Sequence, residues 1–274
     1  MKQFKFLLVI FCLGAVVFTT PSHAAELTCT SGDVTGLGSG DYCYTEPTYY
    51  GITVYEMGVC TAAPTAPTTT AVVDAPNCHT VFTSSAGSLV EVQNGGTSTP
   101  SGTFTRPPNG TYTHGYMRMN NTFLIKGSLD FGASHTDITD QYCVTKTATT
   151  DNEGSNSANT YTCSASPGTP GTVTTELTDF SGGDHSNTTS ATVGQLTVYL
   201  LDSNQHLATA AECTQAGADG ILGVQAFTSA ITMTDQSTVM DATITVSQGM
   251  TVSVTGTNAA EFDSGPFQLV LSVQ

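Results

Sequence analysis

The chain contains no tryptophan, and its six lysines and arginines face 22 acidic residues across 274 positions. Glycoside hydrolysis by paired carboxylates needs apolar and aromatic walls around strand-borne acids, so the missing Trp and the scarcity of Glu disfavour it. The shortage of basic charge excludes nucleic acid and anionic membranes as partners, because both demand a positive surface. No Gly-x-Ser-x-Gly run is present to form a nucleophile elbow. The histidines 79, 114, 135, 185 and 206 never fall at the i, i+4 or Cys-x-x-Cys spacings that build a tetrahedral metal site. GLGSG at 36–40 neither follows a strand nor opens a helix, which removes the dinucleotide-cradle reading and leaves a loop.

What is present begins with MKQFKFLLVIFCLGAVVFTTPSHA, where Lys2 and Lys5 precede an apolar run and Ser22 and Ala24 stand at minus three and minus one of a cut. The run is shorter than the roughly 20 residues of a membrane span. Residues 1–24 are therefore expected to be a cleaved signal peptide, with no transmembrane segment after cleavage and an exported chain, extracellular, at the cell surface or in the periplasm. Removing it leaves Arg106, Arg118, Lys126 and Lys146 as the basic residues and a net charge of −18.

Seven cysteines then remain. An exported chain uses them as disulfides. Cys29 with Cys43, Cys60 with Cys78 and Cys143 with Cys163 are sequence-local pairs, each bracketing a polar Gly- or Pro-rich loop. Cys213 is left over, as a buried free thiol or as a bond to another chain.

Charged residues are only 10% of the chain, leaving Thr, Ser, Asn and Gly to wet the surface, and threonine, being β-branched, disfavours helix and suits a pleated strand. Phe123, Ile125, Leu129 and Phe131 share one face with Gly127, opposite Lys126, Ser128 and Asp130. Asn120-Asn121, lying between two β-rich runs, predicts a hairpin turn inside Gly110–Phe131, because Asn tolerates positive φ. Two short strands, 80–83 and 88–92, are expected about a Ser-Ser-Ala-Gly turn, and an alternating pair about Gln248-Gly249. The last apolar strand carries Phe267, Leu269, Leu271 and Val273 on one face. A short helix is placed within 211–231.

About ten short strands without βαβ alternation or a fixed repeat predict an all-β chain, an antiparallel β-sandwich with long disulfide-clipped loops. Pro107-Pro108-Asn109-Gly110 turning into Tyr112 is similar in kind to strand starts in transthyretin-like and other small extracellular sandwiches, over some six residues. Immunoglobulin-like and transthyretin-like versions of the sandwich both remain open. The expected divisions are a Gly-rich loop segment at 25–47, a first β region at 48–140, a Thr/Ser/Gly-rich loop insertion at 141–190, and a second β region at 191–274 that completes the same sandwich.

Ser134-His135-Thr136-Asp137 collects the residue types of a hydrolase triad, but neighbours on an extended chain point apart, so the run reads as a solvated loop. Tyr112, His114, Tyr116 and Arg118 form a row that is either a binding face for sugars or peptides or a cross-strand aromatic row stabilising the sheet. Acidic pairs at Asp137/Asp140 and Asp202/Asp219 read as loops kept in water. Calcium is the one metal such Gly-rich acidic loops suit, with Asp179 and Asp184 as its candidate ligands, and no other cofactor is expected. The functional expectation is a secreted, non-enzymatic structural or cell-surface protein that is a filament, surface-layer or matrix subunit and pairs with itself. The alternative is a monomeric extracellular binding module, adhesin-like or carbohydrate-binding, with other surface proteins or glycans as partners.

Overall fold

Threonine-rich alternation leaves little that could wind into helix, and the computed structural model of the chain is built from strands. It describes residues 28–273 apart from 33, 35, 39, 94–97, 153–159, 179, 181–184, 192–193, 214–217 and 238–239, so the signal peptide expected at 1–24 lies outside the described residues. Among the described residues there are seventeen strands and one short helix. The first are β1 (Tyr42–Thr45), β2 (Tyr49–Cys60), β3 (Cys78–Gln93), β4 (Thr103–Phe104), β5 (Gly110–Lys126) and β6 (Ser128–Asp130). Then come β7 (Tyr142–Thr145), β8 (Ala148–Asn152), β9 (Tyr161–Ser164), β10 (Val173–Glu176), β11 (Ser186–Ala191) and β12 (Gly194–Leu201). The helix α1 (Ala210–Cys213) precedes β13 (Gly220–Met233), β14 (Met240–Thr245), β15 (Met250–Gly256), β16 (Ala259–Ser264) and β17 (Gln268–Val273).

A nine-stranded sheet runs β11-β12-β13-β5-β2-β3-β4, with β10 beside the second half of β5 and β8 beside β10. Three smaller sheets, β1-β15-β16, β14-β17 and β6-β7-β9, lie apart from it in hydrogen bonding. Every strand pair is antiparallel except β8 with β10. One apolar cluster joins Ile52, Val54, Phe123 and Ile125 of the large sheet to Val252, Phe262, Phe267 and Leu269 of the small ones, giving a layered all-β body. At its centre the Phe123 ring lies 5.7 Å from Tyr50 and 6.4 Å from Phe267. Side chains also stitch the layers, as where the Tyr50 hydroxyl meets Ser264 Oγ at 2.9 Å. Gln225 on β13 is buried, donates from Nε2 to the Leu269 carbonyl at 2.8 Å and accepts the Leu269 N–H at 3.0 Å, so its amide stands in for a neighbouring strand of β17.

β5 does not turn at Asn120-Asn121. It continues as one strand of 17 residues, and neither asparagine takes a positive φ. Tolerance of a turn geometry is not a demand for one, and here the pair marks a fork. β13 pairs with β5 up to Met119 and β10 takes over from Thr122, leaving the backbone between them without a ladder partner. Asn121, only 3% exposed, fills that gap. Its Nδ2 donates to the Ala218 carbonyl at 2.7 Å, with longer contacts to Leu177 O and Glu176 Oε1, and its own carbonyl accepts the Leu177 N–H at 2.8 Å.

Other expectations shift in similar ways. The Ser-Ser-Ala-Gly segment is an irregularity inside the continuous strand β3. β14 and β15 flank Gln248-Gly249 but go to different sheets. The helical segment shrinks to the four residues of α1, and from Gly220 onward the stretch belongs to β13. The run 141–190 carries β7 to β11 instead of loop alone, because Thr-rich segments that bury little by themselves can still pair with strands already in place. Phe123, Ile125, Leu129 and Phe131 are all buried as their alternation requires.

Three disulfides form: Cys29–Cys43, Cys60–Cys78 and Cys143–Cys163, the three sequence-local pairs. The last two join residues directly opposed in β2/β3 and β7/β9. They fit an oxidising, extracellular or exported environment. Among the described residues no helix is long and apolar enough to cross a membrane. Replacing Asn121 with Ala strands the Ala218 carbonyl and opens the fork, so unfolding in urea under oxidising conditions should show a loss of about 2 kcal/mol, the cost of unmet buried polar groups. An unchanged midpoint would mean the fork is held elsewhere.

Candidate functional site

The outer face of the large sheet is dished where its central strands fall out of step. Val54 and Glu56 of β2 lie opposite Ser88 and Thr83 of β3, and opposite Met119 and Arg118 of β5. Tyr55 is thus an extra residue on β2, and Ser84–Gly87 is an extra segment on β3. Gly87 makes this possible with φ of 78°, and its α-carbon tucks against Thr53 and Tyr55 where a Cβ would collide. Adjacent bulges re-aim side chains that a regular ladder would hold apart. The result is an open depression of about 420 Å³ lined by Tyr55, Glu56, Thr83–Ser85, Thr103 and Arg118.

Glu56 is the hub. Its Oε1 accepts the Tyr116 hydroxyl at 2.5 Å and the Thr80 hydroxyl at 3.3 Å, and its Oε2 lies 3.5 Å from the Arg118 guanidinium. Arg118 also donates to Gln205 Oε1 at 3.3 Å, on the turn after β12, and its side chain remains 41% exposed. The Tyr116 ring lies across Gly58, where any Cβ would sit 2.1 Å from it. Burial, then the hydrogen bond to Glu56, pushes the Tyr116 hydroxyl up to about 12 from its ordinary 10.

The row Tyr112, His114, Tyr116, Arg118 is thereby split. Tyr112 is 1% exposed, donates to the Pro108 carbonyl at 2.7 Å and packs edge-on to His79. Tyr116 is 9% exposed and packs with Cys60, Leu201 and Leu222 in a small apolar cluster. Half-buried His114 contacts Thr113 Oγ1 at 2.9 Å, and burial pushes its imidazole below the ordinary value. Both tyrosines therefore pack the sheet, and Arg118 alone of the row opens onto the depression.

Ser134–Asp137 is not a solvated loop throughout. His135 is 4% exposed, and its Nδ1 accepts the Asp137 and Ile138 N–H groups, which leaves Nε2 to donate to the Leu37 carbonyl at 2.9 Å. Nδ1 is thus taken up within its own loop, and Nε2 ties that loop to residue 37. Asp202 receives the Asn204 and His206 N–H groups, and the Asp140 N–H donates to Asn258 Oδ1. Among the described residues no three His, Cys, Asp or Glu side chains are placed to share a metal. The calcium candidates Asp179 and Asp184 lie outside the described residues. Cys213 ends α1, and the expectation about its thiol concerns a side chain outside the described set.

No known protein family, curated protein or solved structure matches the chain. What the depression can do therefore rests on its own chemistry. Hydroxyls donate and accept, Glu56 accepts, Arg118 donates, and Tyr55 adds an aromatic wall. Sequence reading missed Tyr55, Glu56 and the Ser84 segment, and the signal that marked them was the Ser-Ser-Ala-Gly run.

The Tyr116 shift has a fixed sign. The folded chain keeps a proton that the unfolded chain gives up near pH 10, so the stabilisation is whole below pH 10 and is lost as pH rises towards 12. Tyr49, held up to about 12 by burial and Glu91, acts in the same sense. Tyr116→Phe should flatten the decline of the urea midpoint across that window while leaving a Tyr49 share. An undiminished decline would show that Tyr116 is not held as described.

Proposed function

We propose that the chain is an exported, non-enzymatic structural protein of a cell surface or extracellular matrix, acting as a subunit of larger material. The reading is carried by how the chemistry-bearing groups are spent. His135 is consumed in a loop clasp, and Glu56 and Tyr116 hold each other across the sheet. Disulfides staple the same body at three places, suiting durability in an oxidising setting.

A route to assembly is an open sheet edge. Among the described residues β11 pairs only with β12, so one side of it offers backbone groups to a strand from another copy. Its exposed residues Ser186, Asn187 and Thr188 keep that edge polar and soluble until a partner arrives. A second reading, an extracellular binding module, is favoured by the hydroxyl-lined depression around Arg118.

Light scattering and electron microscopy on the mature oxidised protein, with and without calcium, test the first reading. Discrete oligomers or filaments are expected, and a strict monomer under all conditions would contradict it.

A further inference from the structure

We infer that the depression between β2, β3 and β5 binds a neutral saccharide, one hexose unit at a time. This deepens the binding-module reading and rests on it.

The volume of about 420 Å³ falls within the range of small-molecule pockets, ~300–1,000 Å³. A sugar ring presents adjacent hydroxyls, each both donor and acceptor, and an apolar face of C–H bonds. The depression answers each of these. Thr83, Ser84, Ser85 and Thr103 supply hydroxyls that switch roles freely. A guanidinium has five N–H groups, and the described contacts of Arg118 are two, both long, to Glu56 at 3.5 Å and Gln205 at 3.3 Å. Tyr55 stands as the unpaired residue of the β2 bulge and supplies the ring against which C–H bonds can lie.

Charge decides for a neutral ligand. Glu56 offsets Arg118 inside the site, so an anion meets a carboxylate beside its only cation. The whole mature chain, at −18, repels anions from a distance as well. A free cation meets Arg118. A polyol suffers neither penalty and can accept from Arg118 while donating to Glu56. The polar partners are also held before binding, since Glu56 is fixed by Tyr116 and Thr80, and a preorganised site loses less on binding.

The test is a titration of the mature disulfide-bonded protein followed by amide NMR shifts. The probes are the methyl glycosides of glucose, mannose and galactose, N-acetylglucosamine, and sulfate as the anion arm. The expected result is saturable, millimolar binding of at least one sugar, with shifts at Tyr55, Ser84, Thr103 and Arg118. Arg118→Ala should weaken it about tenfold, equivalent to about 1.4 kcal/mol. Thr103→Ala, at an exposed hydroxyl that makes no hydrogen bond among the described residues, should weaken it severalfold and provides the test if the arginine variant fails to fold. Sugar binding that neither variant weakens would overturn the assignment to this site. Saturable sulfate binding without sugar binding would overturn the ligand class and leave the binding-module reading standing. No saturable response to any probe would remove both.

Discussion

A strand of seventeen residues runs roughly 55 Å and must satisfy backbone groups on both edges for its whole length. β5 meets this demand on one side with β2 alone and on the other with two successive partners, β13 and then β10. The change of partner is the weak point, and the buried Asn121 amide bridges it to residues on either side of the fork. From that arrangement follow the other placements. β12 and β11 extend from β13, β3 and β4 extend from β2, and the odd-numbered side chains Phe123 and Ile125 set the floor on which the small sheets pack. The β2–β5 ladder is also irregular here, shifting once beside Asn120–Thr122 and again at Tyr55. Fork and candidate site thus lie close together along β5, beside two successive register shifts.

Around this centre the chain relies on local fastening. Each disulfide closes a short span, of 14, 18 or 20 residues in separation, and constrains a segment too polar to hold itself by burial. Closing a loop of such size removes about 3 kcal/mol of unfolded-state freedom in the chain-entropy description. Side chains do similar work at single points. Gln225 grips β17, His135 grips residue 37, and Arg106 reaches the Thr234 carbonyl at 2.7 Å across the turn after β13. Such polar clasps are worth most where they are buried, because losing one partner leaves the other unsatisfied.

The alternation at Phe123, Ile125, Leu129 and Phe131 was readable because period two survives any choice of strand partner. The all-β architecture was readable for the same reason, repeated along the chain. Partner choice itself was not. Asn120-Asn121 carries a local preference, and only the presence of β13 and β10 on one flank decides that the strand continues. The stretch 141–190 is sparse in apolar side chains, so its strands are visible only once β5, β6, β12 and each other are there to pair with. Spacing left open whether Tyr112 and Tyr116 pack the sheet or face a ligand, and it did not show that they join two different clusters, the main one and a small one with Cys60, Leu201 and Leu222. The site was half legible. Arg118 stood out as one of the four basic residues after position 24, whereas Glu56 and Ser84 look ordinary until a double bulge brings them beside it.

Residue-resolved hydrogen exchange on the oxidised mature chain bears most directly on the claim that β5 and its fork hold the body together. The amides of Tyr116 and Phe123, on the two sides of Asn121, should exchange with one shared free energy, the highest in the molecule, equal to that of global unfolding. If the segment before the fork opened at a clearly lower free energy than the segment after it, the two partners of β5 would be independent and the account would fail.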